Sequence, residues 1–345
     1  MMVNATLVNS PFHDPAVYVK FKHHNEAFLF DLGDIAALPA RMILKIRAIF
    51  VSHTHMDHFI GFDHLLRICL GRDQHIALFG PAPFLDKVEH KLQSYTWNLV
   101  ENYTNDFQLT VTEVHPTSRL TRRYRCRQAF RPEEEEQSAE DGAPLFQGDF
   151  YYVHGALLDH AIPCLGYRLE EKSHINIKKN TLEEMGLPTG PWLNGLKEQI
   201  MRQEPDETPV HIWSKTKEGR LEDKSLPLGL LKEKIIKITP GEKVCYVTDA
   251  VWSAENVARI VALARGAELL FLESPFLHED RDMAARKHHL TARQAGALAA
   301  MAEVKRLVIF HFSPKYRGME EQLQREALEA FTTKNTLTGK DLSDR

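Results

Sequence analysis

Hydrophobic and polar positions along the chain follow two rhythms. A period of two runs through Val17–Phe21 and through 107–114, and short apolar runs stand at 27–31, 48–51, 76–79, 150–153, 162–169, Lys243–Val247, 269–272 and Leu307–Phe310. Each predicts a strand, with 107–114 placed at a sheet edge. Apolar positions spaced three and four apart predict helices at about 60–70, 83–94, Ala254–Ala264, 292–301 and 319–331. Thr291 and Gln294 have the spacing of a capping box at the start of the fourth. One arrangement recurs: an apolar run, then His, Asp or Glu at its carboxyl end, then a helix. It occurs at His53, His55, Asp57 and His58, again at Asp249 and Glu273, and at His311. Strands that deliver polar residues to one common edge, with helices outside, describe an α/β layered protein whose active site lies at that edge.

The densest of these ends reads Ser52-His53-Thr54-His55-Met56-Asp57-His58. His53 and His55 are two apart, so on extended backbone both project from the same side. Asp57 and His58 fall where the strand bends into the helix and can face a second point nearby. Imidazole and carboxylate are ligands that Zn²⁺ accepts, with Mn²⁺ or Fe²⁺ as alternatives. Two cations can be built from the chain: His53, His55 and His160 around one, and Asp57, His58 and His311 around the other. Asp249 would bridge them, since a carboxylate has two oxygens. Such a pair, about 3.5–4 Å apart, activates a water for in-line attack on an ester or phosphodiester. The departing oxygen then needs a proton, for which His289, oriented by Glu273, is the candidate. The remaining histidines, among them His23, His24, His64, His75 and His154, read as surface or structural.

Composition narrows the class. The 345 residues are 43% hydrophobic and 26% charged, as in an ordinary globular protein able to bury a sizeable core. No run of eighteen apolar residues predicts a membrane span, and the amino terminus lacks the basic start and apolar stretch of a signal peptide. Cys69, Cys126, Cys164 and Cys245 are scattered without a CxxC pair, which argues against thiolate zinc and disulfides and fits a reducing, cytoplasmic setting. A net charge of −4 neither demands nor excludes a nucleic-acid partner. Two stretches depart from the layered pattern. At 117–149, Arg119, Arg122, Arg123, Arg125 and Arg127 are answered by Glu133, Glu134, Glu135 and Glu136, which reads as a solvated insertion loop. The second stretch, 172–240, is rich in charge, Pro and Gly. It reads as an arm inserted into a single domain spanning 1–345, with too few apolar residues for a core of its own.

Taken jointly, these segments resemble the metallo-β-lactamase superfamily and, within it, ribonuclease Z, the transfer-RNA 3′ processing endonuclease. The resemblance rests on His53-Thr54-His55-Met56-Asp57-His58, Asp159-His160-Ala161-Ile162-Pro163 with Gly166-Tyr167-Arg168, and Tyr246-Val247-Thr248-Asp249. It continues in His289-Leu290-Thr291-Ala292 and His311-Phe312-Ser313-Pro314. It implies an αββα sandwich with two zinc ions per chain at one edge, Asp57 as a catalytic acid/base, and His289 with Glu273 serving the leaving group. It also implies a homodimer and an arm that grips transfer RNA, whose Gly-Pro motif would be Gly190-Pro191. Where the family carries a Pro-x-Lys-x-Arg-Asn loop, this chain has Asn9-Ser10-Pro11-Phe12-His13-Asp14. The expected function is a dinuclear-zinc phosphodiesterase cleaving RNA, with the 3′ ends of transfer-RNA precursors as its substrate. The alternatives are a hydrolase of a small ester, lactone, thioester or phosphodiester, and an RNA-binding relative without catalysis.

Overall fold

In the computed structural model, residues 3–22, 24–139, 142–215 and 221–333 are described; His23 lies outside them. The chain divides into two compact units, Glu171–Gly241 and the remainder on either side of it.

The larger unit contains two sheets. Eight strands of the first lie in chain order: Val3–Leu7, Val17–Phe21, Ala27–Phe30, Ile46–Phe50, His75–Pro81, Gln108–Val114, Ser118–Arg125 and Glu136–Ala139. The four from Ala27–Phe30 to Gln108–Val114 are parallel, so their carboxyl ends reach the same edge. The second sheet runs in the order Leu307–Phe310, Leu269–Glu273, Lys243–Val247, Pro163–Glu171, Tyr151–Asp159, Phe146–Gln147, and its first three strands are parallel.

The two sheets share an aromatic inner layer. Phe28, Phe30, Phe50 and Phe79 from the first meet Tyr151, Tyr167, Tyr246, Phe271 and Phe310 from the second. Phe30 stacks on Tyr246 with centroids 5.6 Å apart, and Phe50 lies 5.4 Å from Tyr167. Intervening residues point outward: Leu29 and Ile49 pack with the helices Phe62–Cys69 and Phe84–Gln93. On the far side Cys245, Val247, Leu270 and Leu272 pack with Ala254–Ala264, Ala292–Met301 and Glu320–Thr332. Central strands covered on both faces have no polar alternate positions, which is why they appear in the sequence as unbroken apolar runs. The order of layers is αββα.

Three expectations change. The strand at 107–114 is interior, because Ser118–Arg125 and Glu136–Ala139 extend the sheet beyond it. The charged stretch following it therefore contributes two strands to this sheet, and its charges pair across the hairpin. Arg122 lies 2.9 Å from Glu135, Arg123 2.6 Å from Glu136 and Arg125 2.9 Å from Glu133. Finally, Glu171–Gly241 does have a core of its own. Leu182, Leu187, Trp192, Leu196, Val210, Ile212, Leu228, Leu231, Ile235 and Ile236 are buried together. It is built from the hairpin Pro209–Lys215 with Leu221–Pro227, the strand pair His174–Ile177 with Ile236–Thr239, and the helices Lys179–Glu184, Trp192–Met201 and Leu228–Ile235. No helix among the described residues is long and apolar enough to cross a membrane.

Candidate metal centre and active site

Parallel pairing explains how residues far apart in sequence meet. Five strand ends converge on one edge: Ile46–Phe50 leads to 52–58, Tyr151–Asp159 to His160, Lys243–Val247 to Asp249, Leu269–Glu273 to Glu273, and Leu307–Phe310 to His311. Asp31 and His311 follow a strand directly and Asp249 follows its strand after one intervening residue, and all three adopt left-handed backbone, with φ of 57°, 62° and 47°. Non-glycine residues hold that conformation only where their surroundings fix it, and such positions gather at functional sites.

The predicted residues meet around Asp249. Its Oδ2 lies 3.4 Å from His53 Nε2, 3.3 Å from His160 Nε2 and 3.6 Å from His58 Nε2. Its Oδ1 lies 3.1 Å from His311 Nδ1. His55 joins through its ring, 4.4 Å from His53 and 5.3 Å from His160 between centroids. Asp57 Oδ2 lies 3.2 Å from His311 Nε2 and 3.4 Å from His58 Nε2. Three overlapping donor groups able to surround a cation result: His53, His55, His160 and Asp249; Asp57, His58 and His311; and Asp249, Glu273, His289 and His311. Within each group one donor atom per residue lies within 4.8 Å of all the others.

The residues behind the site decide which nitrogen faces inward. His58 Nδ1 is 2.7 Å from Asp31 Oδ2 and His160 Nδ1 is 2.8 Å from the His288 carbonyl, leaving Nε2 of each for the site. His53 Nδ1 is 3.1 Å from Ser52 Oγ. Asp31 is fully buried and also accepts hydrogen bonds from the Ser52 N–H at 2.6 Å, the Ser52 hydroxyl at 2.8 Å and the Tyr246 hydroxyl at 2.6 Å. Among the described residues, nothing hydrogen-bonds the buried atoms His53 Nε2, His58 Nε2 or His311 Nδ1. Buried polar atoms are normally satisfied, so three unbonded nitrogens aimed at one carboxylate fit a divalent cation.

The field of the pocket agrees. Burial, with the neighbouring His58, pushes His53 down to about 2, so this imidazole stays neutral. At His58 burial opposes protonation, but Asp249 and Asp31 outweigh it and hold the ring at about 10. Asp249 stays well below the usual carboxylate range despite burial, because His311 and His58 favour its anion. Buried carboxylates thus favour positive charge at His58 and His311, and a cation entering beside them would displace their protons.

His289 lies at the rim. Its Nδ1 is 2.7 Å from Glu273 Oε2, and its ring is 4.9 Å from His160 and 5.6 Å from His311. Glu273 is fully buried, and its other oxygen accepts the N–H groups of Ala250 at 2.8 Å and Leu290 at 3.2 Å. Burial opposes charge on His289, but Glu273 raises its pKa above the ordinary value. Gly190 and Pro191 belong to the other unit, where Pro191 precedes the helix Trp192–Met201.

Sequence reading passed over Asp31, Ser52 and Tyr246. For Asp31 a signal existed, since it ends the apolar run 27–30 as Asp249 ends 243–247. Ser52 and Tyr246 carry none, because their partner is defined only once the sheets are stacked.

No family model matches the chain. Among curated proteins it is 29% identical over 334 residues to ribonuclease Z of Deinococcus radiodurans, covering 95% of this chain and 96% of that one. It is 30% identical over 341 residues to ribonuclease Z of Prochlorococcus marinus strain MIT 9303, covering 94% and 90%. In structure it is similar to the metallo-β-lactamase fold protein YhfI from Bacillus subtilis, with a TM-score of 0.54, 14% identity, and coverage of 96% and 93%. The architecture is thus the metallo-β-lactamase fold, and similarity sustained along nearly the whole length of both proteins makes this chain a member of the ribonuclease Z family of metal-dependent hydrolases.

Proposed function

We propose that the chain is a dinuclear-zinc endoribonuclease that cleaves a phosphodiester bond of RNA, with transfer-RNA precursors cut at their 3′ ends as the substrate. The observation that carries this reading is the set of three buried, unbonded imidazole nitrogens around Asp249, in a chain 30% identical to a ribonuclease Z over most of its length. In this reading His53, His55 and His160 would hold one cation and Asp57, His58 and His311 the other, with Asp249 available to both groups. When bound, the pair supplies Lewis acidity and lowers the pKa of water toward neutrality. Asp57 accepts or relays a proton at its Oδ2, the oxygen that faces His311 and His58. His289 is poised as the acid for the departing oxygen: Glu273 fixes one ring nitrogen, raises the ring's pKa above its ordinary value, and leaves Nε2 to donate. The unit Glu171–Gly241, which contains Gly190 and Pro191, would grip RNA.

The test offers zinc-loaded protein a transfer-RNA precursor, a chromogenic phosphodiester and a lactone side by side. The expected result is endonucleolytic cut of the precursor with slower turnover of the small diester. Turnover of the lactone alone overturns the nuclease reading. Sedimentation of the same sample tests whether the chain is a homodimer.

A further inference from the structure

The loops carrying His160 and Asp249 are tied together by one buried amide. Asn256 stands in the first turn of Ala254–Ala264 and is 1% exposed. Its Oδ1 accepts the Asp159 N–H at 3.0 Å, and its Nδ2 donates to the carbonyls of Asp159 and Val251, both at 2.9 Å. Those three bonds use both amide protons and the carbonyl oxygen of the side chain. Asp159 immediately precedes His160, and Val251 follows Asp249 by two residues. The loops also meet directly, through the Val251 N–H to the Asp159 carbonyl at 3.0 Å. Both contain left-handed backbone away from glycine, with φ of 58° at Ala161 and 47° at Asp249. Such conformations persist only when the surroundings over-determine them.

We propose that Asn256 is a positioning residue that sets the distance between His160 and Asp249, and through it the affinity for the cation those two residues share with His53 and His55. This deepens the metal-site reading above and rests on it. Chemistry restricts the position. Alanine would leave the carbonyls of Asp159 and Val251 and the Asp159 N–H without these part-buried bonds, and aspartate would turn carboxylate oxygens toward carbonyl oxygens. Either change loosens the loops on which the 3.3 Å approach of His160 Nε2 to Asp249 Oδ2 depends.

The test measures zinc dissociation constants by chelator competition, with thermal melts, on the full chain and on Asn256→Ala, Asn256→Asp and Ser253→Ala. Ser253 caps the same helix by accepting the Asn256 N–H at 3.2 Å, but makes none of the three side-chain bonds. Both Asn256 variants are expected to bind zinc about tenfold more weakly, the scale of outer-shell changes at metal sites. Ser253→Ala is expected to melt earlier while binding zinc as the unmodified chain does. Unchanged affinity in the Asn256 variants, or an equal loss in Ser253→Ala, overturns the inference alone. A crystal structure of the zinc-loaded unmodified chain with the amide out of reach of the two carbonyls also overturns it, and needs no variant to fold. Failure of the unmodified chain to retain zinc overturns the metal-site reading instead.

Discussion

Asp57 faces both ways, with a side chain 43% exposed and a carboxylate oxygen turned toward His311 and His58. Burial works toward protonating it, but the hydrogen bond to His311 and the closeness of His58 hold it ionised. Asp57→Ala should therefore lower hydrolysis of any phosphodiester by about 10²–10⁴-fold with the circular dichroism spectrum intact; unchanged turnover would exclude the assigned role. His289→Ala should behave differently according to substrate. Cleavage of RNA, whose departing alkoxide needs a proton, should fall by about 10²–10⁴-fold, while a nitrophenyl diester, whose leaving group departs unprotonated, should be nearly unaffected. Equal losses on both substrates would assign His289 to substrate binding or metal retention. The four thiols make a third case. Burial pushes Cys69 and Cys245 up to about 12 and Cys126 to about 11, and holds Cys164 well above its ordinary value. Their folded pKa values exceed the unfolded one near 9, so this contribution to stability is complete below that pH and is lost as pH rises toward 11–12. A thiol reagent at pH 8 should label none of the four in the native chain and all four in denaturant.

Elements differ in how much of them could be read beforehand. Ala254–Ala264 and the capping box at Thr291 follow from local chemistry alone: a stripe of apolar residues, and a hydroxyl and an amide three positions apart. Both members of that box are formed, Gln294 N–H to Thr291 Oγ1 at 3.3 Å and Thr291 N–H to Gln294 Oε1 at 2.9 Å. Thr291→Ala should cost about 1 kcal/mol in denaturant titrations. The hairpin beyond 107–114 was not legible, because alternating charge looks the same on a solvated loop and on a strand whose charges pair across it. The Arg123–Glu136 pair is half-exposed, at 46% and 59%, so Arg123→Ala should leave the midpoint of a denaturant titration almost unchanged. What the pairs across this hairpin provide is a charged, twisted sheet border that discourages pairing with another chain.

At the scale of the whole molecule the layered fold and most of the site were visible early, since both depend on what terminates each apolar run. The core of Glu171–Gly241 was not. Its buried residues come from three short helices and a hairpin, so no single window of sequence shows a periodic face. That unit begins and ends at neighbouring points, because Glu170 pairs with Lys243 across antiparallel strands. Replacing 171–241 by a two-residue turn should preserve zinc content and turnover of a small diester while reducing cleavage of RNA. Loss of zinc in the truncated chain would show that the units do not fold separately. Such independence contrasts with the cage itself, where Asp57 and His311 stand 254 positions apart. Synthesis proceeds from the amino terminus, so a chain emerging from the ribosome cannot bring Asp57, His58 and His311 together until residue 311 has been made. In the proposed reading that group would take up its cation late in the making of each molecule, and products ending before His311 would lack one of its donors.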